Sequence, residues 1–92
     1  MRWQPVNLSA LAKAIAAELR RAEPGRAVQF VIEPNLRAEG DERLLQVVLD
    51  NLLGNAWKFA RHRPDARIEF GLTGQPEPAF FVRDNGVGFD MT

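Results

Sequence analysis

The chain has 92 residues, of which 46% are hydrophobic and 26% are charged. This is the composition and length of one small folded domain, and it excludes a disordered chain. Twelve Lys and Arg residues balance twelve Asp and Glu residues, so the basic surplus that draws proteins to nucleic acid is missing and nucleic acid is not the expected partner. The absence of cysteine excludes disulfides and thiolate metal sites, and a single histidine cannot form an imidazole metal site alone.

The sequence also predicts a segment without membrane contact. It has no apolar run of about 18 residues, the length that a spanning helix needs. Its first residues lack the apolar stretch of a signal peptide. We therefore expect a cytoplasmic location for this segment, which leaves room for a membrane anchor elsewhere in a longer protein.

The first predicted element is an amphipathic helix. Leucine and isoleucine residues recur at spacings of three and four between positions 8 and 19, with charged residues on the other side. Asn7 or Ser9 can cap the start of this helix. The Pro-Gly pair at 24–25 ends it, because proline cannot continue the hydrogen-bond ladder.

The remaining elements alternate between strands and a second helix. A strand is predicted over 27–33, a short extended piece over 36–38 and a long leucine-rich helix over about 41–59. Two further strands are predicted over 66–73 and 79–84. Because most strands have one apolar face, the expected fold is an α/β (α+β) two-layer sandwich, a mixed β-sheet covered on one face by helices.

The long helix carries a polar stripe beside its core face. Asn51, Asn55 and Lys58 follow the spacing i, i+4, i+7, so their side chains stack along one side. Trp57 is expected roughly opposite a core face of leucine and alanine residues: Leu45, Leu49, Leu52, Leu53 and Ala56. The stripe is either a solvated boundary or a site where a carboxamide oxygen ligates Mg²⁺ and the ammonium meets phosphate oxygens.

A second group of candidate residues follows the last predicted strand. Asp84 shares a strand face with Phe80 and Val82, so its carboxylate is carried to the rim of the core. Gly86 and Gly88 lack a Cβ and allow backbone N–H groups to approach a ligand. The alternative interpretation is an ordinary tight turn after a strand.

These two groups, in this order, resemble the catalytic and ATP-binding domain of a sensor histidine kinase. That domain belongs to the GHKL (HATPase) superfamily, which includes DNA gyrase, heat-shock chaperones and mismatch-repair ATPases. Residues 41–60 resemble its N box, and residues 83–89 resemble its first glycine box. On this resemblance the chain, residues 1–92, is part of one such domain.

The resemblance implies roles for the helix residues. Asn55 would supply an oxygen to the Mg²⁺ ion that bridges the phosphates of ATP, with Asn51 nearby. Lys58 would contact the phosphates, and Phe59 would pack by the base. ATP-hydrolysing relatives carry an acidic residue four positions before the metal-binding asparagine; here Asn51 stands there, and an amide is no useful base.

The resemblance implies further roles at the end of the last strand. Asp84 would accept a hydrogen bond from the 6-amino group of adenine. Guanine presents a carbonyl oxygen at that position, which a carboxylate repels. Gly86 and Gly88 would belong to the ATP-binding glycine box.

The function implied is the ATP-binding portion of a two-component sensor histidine kinase. Its ligands would be ATP and Mg²⁺, and its partners the phosphoacceptor and dimerisation domain of the same kinase and a downstream response regulator. Two alternatives stay open: a noncatalytic interaction module on the same fold, and a GHKL ATPase or serine kinase.

The resemblance ends soon after the first glycine box. The lid and the second glycine box of such a domain have no counterpart in the sequence, so we expect the isolated chain to be inactive and to bind ATP weakly. An open sheet edge and uncovered apolar surface would favour association between copies. His62 is expected to be a loop residue and not the phosphorylated histidine.

Overall fold

The computed structural model describes residues 3–60, 65–74 and 79–84. Their helices and strands are, in chain order, β1 (Gln4–Asn7), α1 (Leu8–Ala22), β2 (Gln29–Ile32), β3 (Arg37–Gly40), α2 (Glu42–Phe59), β4 (Arg67–Thr73) and β5 (Ala79–Asp84). Both predicted helices and the strands that became β2, β4 and β5 are confirmed. The strand β1 was not predicted, and β3 extends the short piece that was expected near residue 37.

The strands form two sheets. A mixed sheet has the order β2-β4-β5, with β2 parallel to β4 and β5 antiparallel to β4. The short strands β1 and β3 pair antiparallel in a separate sheet of two strands. The parallel pair β2 and β4 is joined through α2, as a parallel connection needs a crossover.

Both helices contribute to one core on the inner face of the mixed sheet. Ile68, Phe70 and Val82 project from that face and are almost fully buried. Leu53 and Ala12 are each 0% exposed and bring the two helices into the same cluster. The expected α/β sandwich is therefore the observed architecture.

Hydrogen bonds fix the start of α1 to the turn between β2 and β3. Asn7 is the N-cap, because its Oδ1 accepts from the Ala10 N–H at 3.0 Å. Ser9, the other candidate cap, is buried instead: its hydroxyl donates to the Glu33 carbonyl and accepts from the Leu36 N–H at 2.9 Å. One hydroxyl thus satisfies two backbone groups of the turn.

Replacing Ser9 by alanine should destabilise the fold measurably. The Leu36 N–H would lose its partner, and leaving a buried polar group without a partner costs about 1–3 kcal/mol. Urea denaturation followed by circular dichroism measures the loss. Gln46→Ala on the exposed side of α2 is the control, with an expected change within about 0.5 kcal/mol. Equal midpoints for the two variants would contradict the bridging role of Ser9.

Candidate functional site

The helix α2 carries the first group of candidate residues and begins at a well-formed cap. Asp41 Oδ1 accepts from the backbone N–H groups of Arg43 at 2.9 Å and Leu44 at 3.4 Å. Glu42 in the first turn and Lys58 in the last turn both match the helix dipole. At the other end the Ala60 N–H donates to the Ala56 carbonyl at 3.0 Å. The helix is thus continuous from its N-cap to the turns that carry Asn55 and Lys58.

The predicted polar stripe lies on the exposed side of α2. Asn51, Asn55 and Lys58 are all exposed, while Leu53 on the opposite side is completely buried. Phe59, next to Lys58, keeps 42% of its surface exposed. The two amides and the ammonium are therefore accessible to a ligand from solvent.

The same side of α2 is apolar closer to its start. Leu44, Val47 and Val48 are 53%, 56% and 51% exposed. They precede Asn51 at helical spacings, so apolar and polar side chains form one continuous exposed surface along the helix. Exposed valine and leucine clusters of this kind indicate a surface that another group covers.

Asp84 lies at the end of β5 on the inner face of the mixed sheet. It is paired in register with Ile68, shares its face with Val82, and is only 4% exposed. Val82 enters the core as expected, whereas Phe80 keeps 38% of its surface exposed and the carboxylate is buried more deeply than at the expected rim. Because α2 packs against β5, the carboxylate lies on the face of the sheet that is covered by α2, the helix that carries the stripe. The remaining predicted residues, Gly86 and Gly88, lie outside the described residues, as does His62.

An apolar pocket lies between α2 and the two strands β4 and β5. Its volume is about 230 Å³, and the side chains that line it include Leu45, Val48 and Leu52 from the helix and Phe70 and Val82 from the strands. Neither Asp84 nor the polar stripe lines the pocket. Within the described part of the chain, the side chains that line the pocket are all apolar and form no hydrogen bonds to a ligand.

Trp57 was expected opposite the core face, and that expectation is wrong. Trp57 is only 4% exposed. It follows Leu53 by one helical turn, so the two side chains lie on neighbouring parts of the helix surface. The connection between α1 and β2 covers this part: Trp57 Nε1–H donates to Glu23 Oε1 at 2.8 Å, and the Arg26 guanidinium lies 4.1 Å from the indole ring centre.

Arg26 also contacts the backbone of the helix that carries the stripe. Its Nη2–H donates to the Trp57 carbonyl at 2.8 Å, and its Nη1 lies 3.8 Å from Glu23 Oε1. Phe30 of β2 stacks on Trp57 with ring centres 5.8 Å apart, and the Arg20 guanidinium lies 5.0 Å from the Phe30 ring centre. These side chains connect the last turn of α2 to α1 and β2. None of them belongs to a catalytic motif, so the sequence analysis did not identify them.

The donor set fits a magnesium–nucleotide ligand. The exposed carboxamide of Asn55 has the hard oxygen that Mg²⁺ accepts, and the Lys58 ammonium one turn away suits phosphate oxygens. The carboxylate of Asp84 is buried beside apolar side chains, and a carboxylate accepts hydrogen bonds from groups such as the amino group at the edge of a base. Charged and apolar ends of a nucleotide would both find complementary groups.

Two histidine kinases are similar to the chain in sequence. The chain is 30% identical over 93 residues to the signal transduction histidine-protein kinase AtoS of Escherichia coli K12, a match that covers 98% of the chain and 15% of AtoS. It is 44% identical over 55 residues to the methanogenesis regulatory histidine kinase FilI of Methanothrix harundinacea, covering 59% of the chain and 6% of FilI. The chain thus spans a small part of both kinases. No family model matches the chain.

Three solved structures have the same fold. They are the mycobacterial sensor histidine kinase MprB, the catalytic domain of histidine kinase ThkA and the ATP-binding domain of PrrB from Mycobacterium tuberculosis, with TM-scores of 0.69, 0.71 and 0.65. The identities are 23%, 20% and 22%. The matches cover 96%, 94% and 94% of this chain and 58%, 60% and 61% of those chains.

The fold and the relatives agree on one class of protein. The similarity to AtoS, 30% identity over 98% of the chain, shows that the chain belongs to the histidine kinase family, and the three solved structures share its fold. The resemblance inferred from residues 41–60 and 83–89 is thereby confirmed. Among the described residues, neither helix is long and apolar enough to cross a membrane.

The exposed apolar side of α2 should bind a hydrophobic dye. We expect 8-anilinonaphthalene-1-sulfonate to fluoresce with the folded chain, because Val48 is half-exposed and lines the apolar pocket. Val48→Glu should lower the signal at least about two-fold by placing a charge at the pocket. The matched control, Gln46→Glu, adds the same charge on another side of α2. Equal dye binding by both variants would contradict an open pocket at this position.

Proposed function

We propose that the chain is the ATP-binding portion of a two-component sensor histidine kinase. The observation that carries this proposal is the combination, within the fold of such domains, of an exposed Asn55 and Lys58 on α2 with the buried Asp84 at the end of the packed strand β5. The whole protein would transfer the γ-phosphoryl group of ATP to a histidine in its own phosphoacceptor and dimerisation domain. A response regulator would act downstream, and the segment would work in the cytoplasm.

Recognition of adenine would rest on Asp84. A buried carboxylate has few ways to be solvated, so it favours a ligand that donates a hydrogen bond. The adenine 6-amino group donates, whereas guanine places a carbonyl oxygen there. Gly86 and Gly88 would let the chain approach the nucleotide closely. Phe59, which is partly exposed beside the stripe, would pack by the base.

Binding of the phosphates would rest on α2. Asn55 would hold Mg²⁺, with Asn51 one turn earlier and Lys58 on the phosphate oxygens. When bound, the ion would neutralise charge on the transferring phosphoryl group, and positioning would supply much of the rest of catalysis. Because Asn51 is an amide and not an acid, the chain lacks a base at the position that activates water in ATP-hydrolysing relatives. Transfer to a partner histidine is therefore favoured over hydrolysis.

The base preference tests the role of Asp84. In titrations followed by NMR, the chain should bind Mg·ATP with an affinity weaker than micromolar and bind Mg·GTP more weakly still. Asp84→Asn should reduce the ATP preference about ten-fold, since a carboxamide can donate to guanine as well as accept from adenine. Glu39→Gln, the same change at an exposed residue of β3, should leave the preference unchanged. Failure of the chain to bind either nucleotide would favour a noncatalytic interaction module.

The magnesium dependence of binding tests the role of Asn55. ATP affinity of the unmodified chain should rise on adding Mg²⁺ and fall again with excess EDTA. Asn55→Ala should remove most of this rise, a loss of about five-fold or more, because the protein ligand to the ion is gone. Gln46→Ala removes an exposed amide elsewhere on α2 and should keep the full rise. An unchanged magnesium effect in Asn55→Ala would exclude Asn55 as the ligand.

A further inference from the structure

We infer that Arg26 and Trp57 are positioning residues that fix the last turn of α2 and thereby orient Asn55 and Lys58. This inference rests on the proposed nucleotide site. Neither residue faces the stripe: Trp57 is buried, and the Arg26 side chain is only 14% exposed. Their effect on a nucleotide would pass through the helix backbone.

Arg26 anchors the C-terminal end of α2 through a backbone carbonyl group. The last four carbonyl groups of an α-helix have no partner from a following turn. In α2 the Ala56 carbonyl accepts from the Ala60 N–H, and the next carbonyl, that of Trp57, accepts from Arg26 at 2.8 Å. A guanidinium at this end also matches the negative end of the helix dipole. Arg26 therefore does at this carbonyl what a continuing helix would do.

The indole of Trp57 connects this anchor to the rest of the fold. Its Nε1–H donates to Glu23 at 2.8 Å, and its ring lies in a stack with Arg26 and Phe30. Phe30 in turn is covered by Arg20, whose Nη2 donates to the Val28 carbonyl at 3.3 Å. The last turn is thus held from α1, from β2 and from their connection, so it cannot rotate without breaking several contacts.

The candidate ligands depend on this support because they have little packing of their own. Asn55 and Lys58 are exposed, so the core does not fix their side chains. Asn55 lies two residues before Trp57, and Lys58 is the residue directly after Trp57. A small rotation of the last turn would move both groups together, and a misplacement of about 1 Å can cost a large factor in function. Asp84, the proposed hydrogen-bonding contact to adenine, lies on β5, outside this turn, so adenosine should share only the smaller part of the effect that Phe59 transmits.

The experiment compares two ligands in one set of variants. Mg·ATP reports on the phosphate end of the site, and adenosine without metal reports on the base end. In Arg26→Ala the affinity for Mg·ATP should fall about five-fold while that for adenosine changes less than about two-fold. Arg21→Ala removes the same charge from an exposed position on α1 and should change neither. Trp57→Phe keeps the carbonyl and an aromatic ring but loses the N–H that donates to Glu23, so its affinity for Mg·ATP should fall by less than in Arg26→Ala, while that for adenosine changes less than about two-fold.

A ligand-independent readout accompanies the titrations. Amide hydrogen exchange at Lys58, Phe59 and Ala60 should be faster in Arg26→Ala than in Arg21→Ala, with no difference near the start of α2. If Arg26→Ala does not fold, Arg26→Lys, which keeps the charge but loses the planar group, should show a smaller loss with the same ligand split. A proportional loss of both ligands, no loss of either, or unchanged exchange in the last turn would overturn the inference. An unmodified chain that binds neither ligand would overturn the proposed function itself.

Discussion

The packing of α2 against the inner face of β4 and β5 is the constraint on which the rest of the structure depends. One side of the helix buries Leu49, Leu53 and Ala56, and burial of large aliphatic side chains supplies about 1.5–3 kcal/mol each. Once that side is fixed, the helical period leaves Asn51, Asn55 and Lys58 on the exposed side. The exposure of the candidate residues is therefore a geometric consequence of the core.

The same packing explains why Asp84 can be buried. Its strand has Val82 and Phe80 on the same face, and alternation forces the next inward position to be residue 84. A carboxylate at that position costs desolvation, which a fold keeps only where hydrogen bonds compensate for it. Core packing and a candidate recognition group thus share one strand face.

Most of the fold could be predicted from the sequence because its elements have clear periods. The helices and β4 bury several residues each at regular spacing, and β5 buries Val82 and Asp84 two positions apart, so the pattern marks these elements. In β1 only Val6 is buried, and a single buried residue gives no repeating pattern in the sequence. The strand forms because it pairs with β3, which is about 30 residues further along the chain. The burial of Trp57 was predicted wrongly for a related reason. Its side chain is covered by Glu23 and Arg26, which are distant in sequence, and the helical periodicity of α2 contains no information about them.

Because the charges of the chain balance, nucleotide binding at the proposed site would depend more on local geometry than it does in a strongly basic protein. With a formal net charge of zero, the chain has no overall positive field to attract a polyphosphate. In the proposed site, attraction would come from a few groups at short range, such as Lys58, a metal held by Asn55 and backbone N–H donors. Interactions at short range depend steeply on distance. The side chains that contact the last turn of α2, Arg26 and Trp57, would therefore bear on nucleotide binding at the proposed site although neither lies on the exposed stripe.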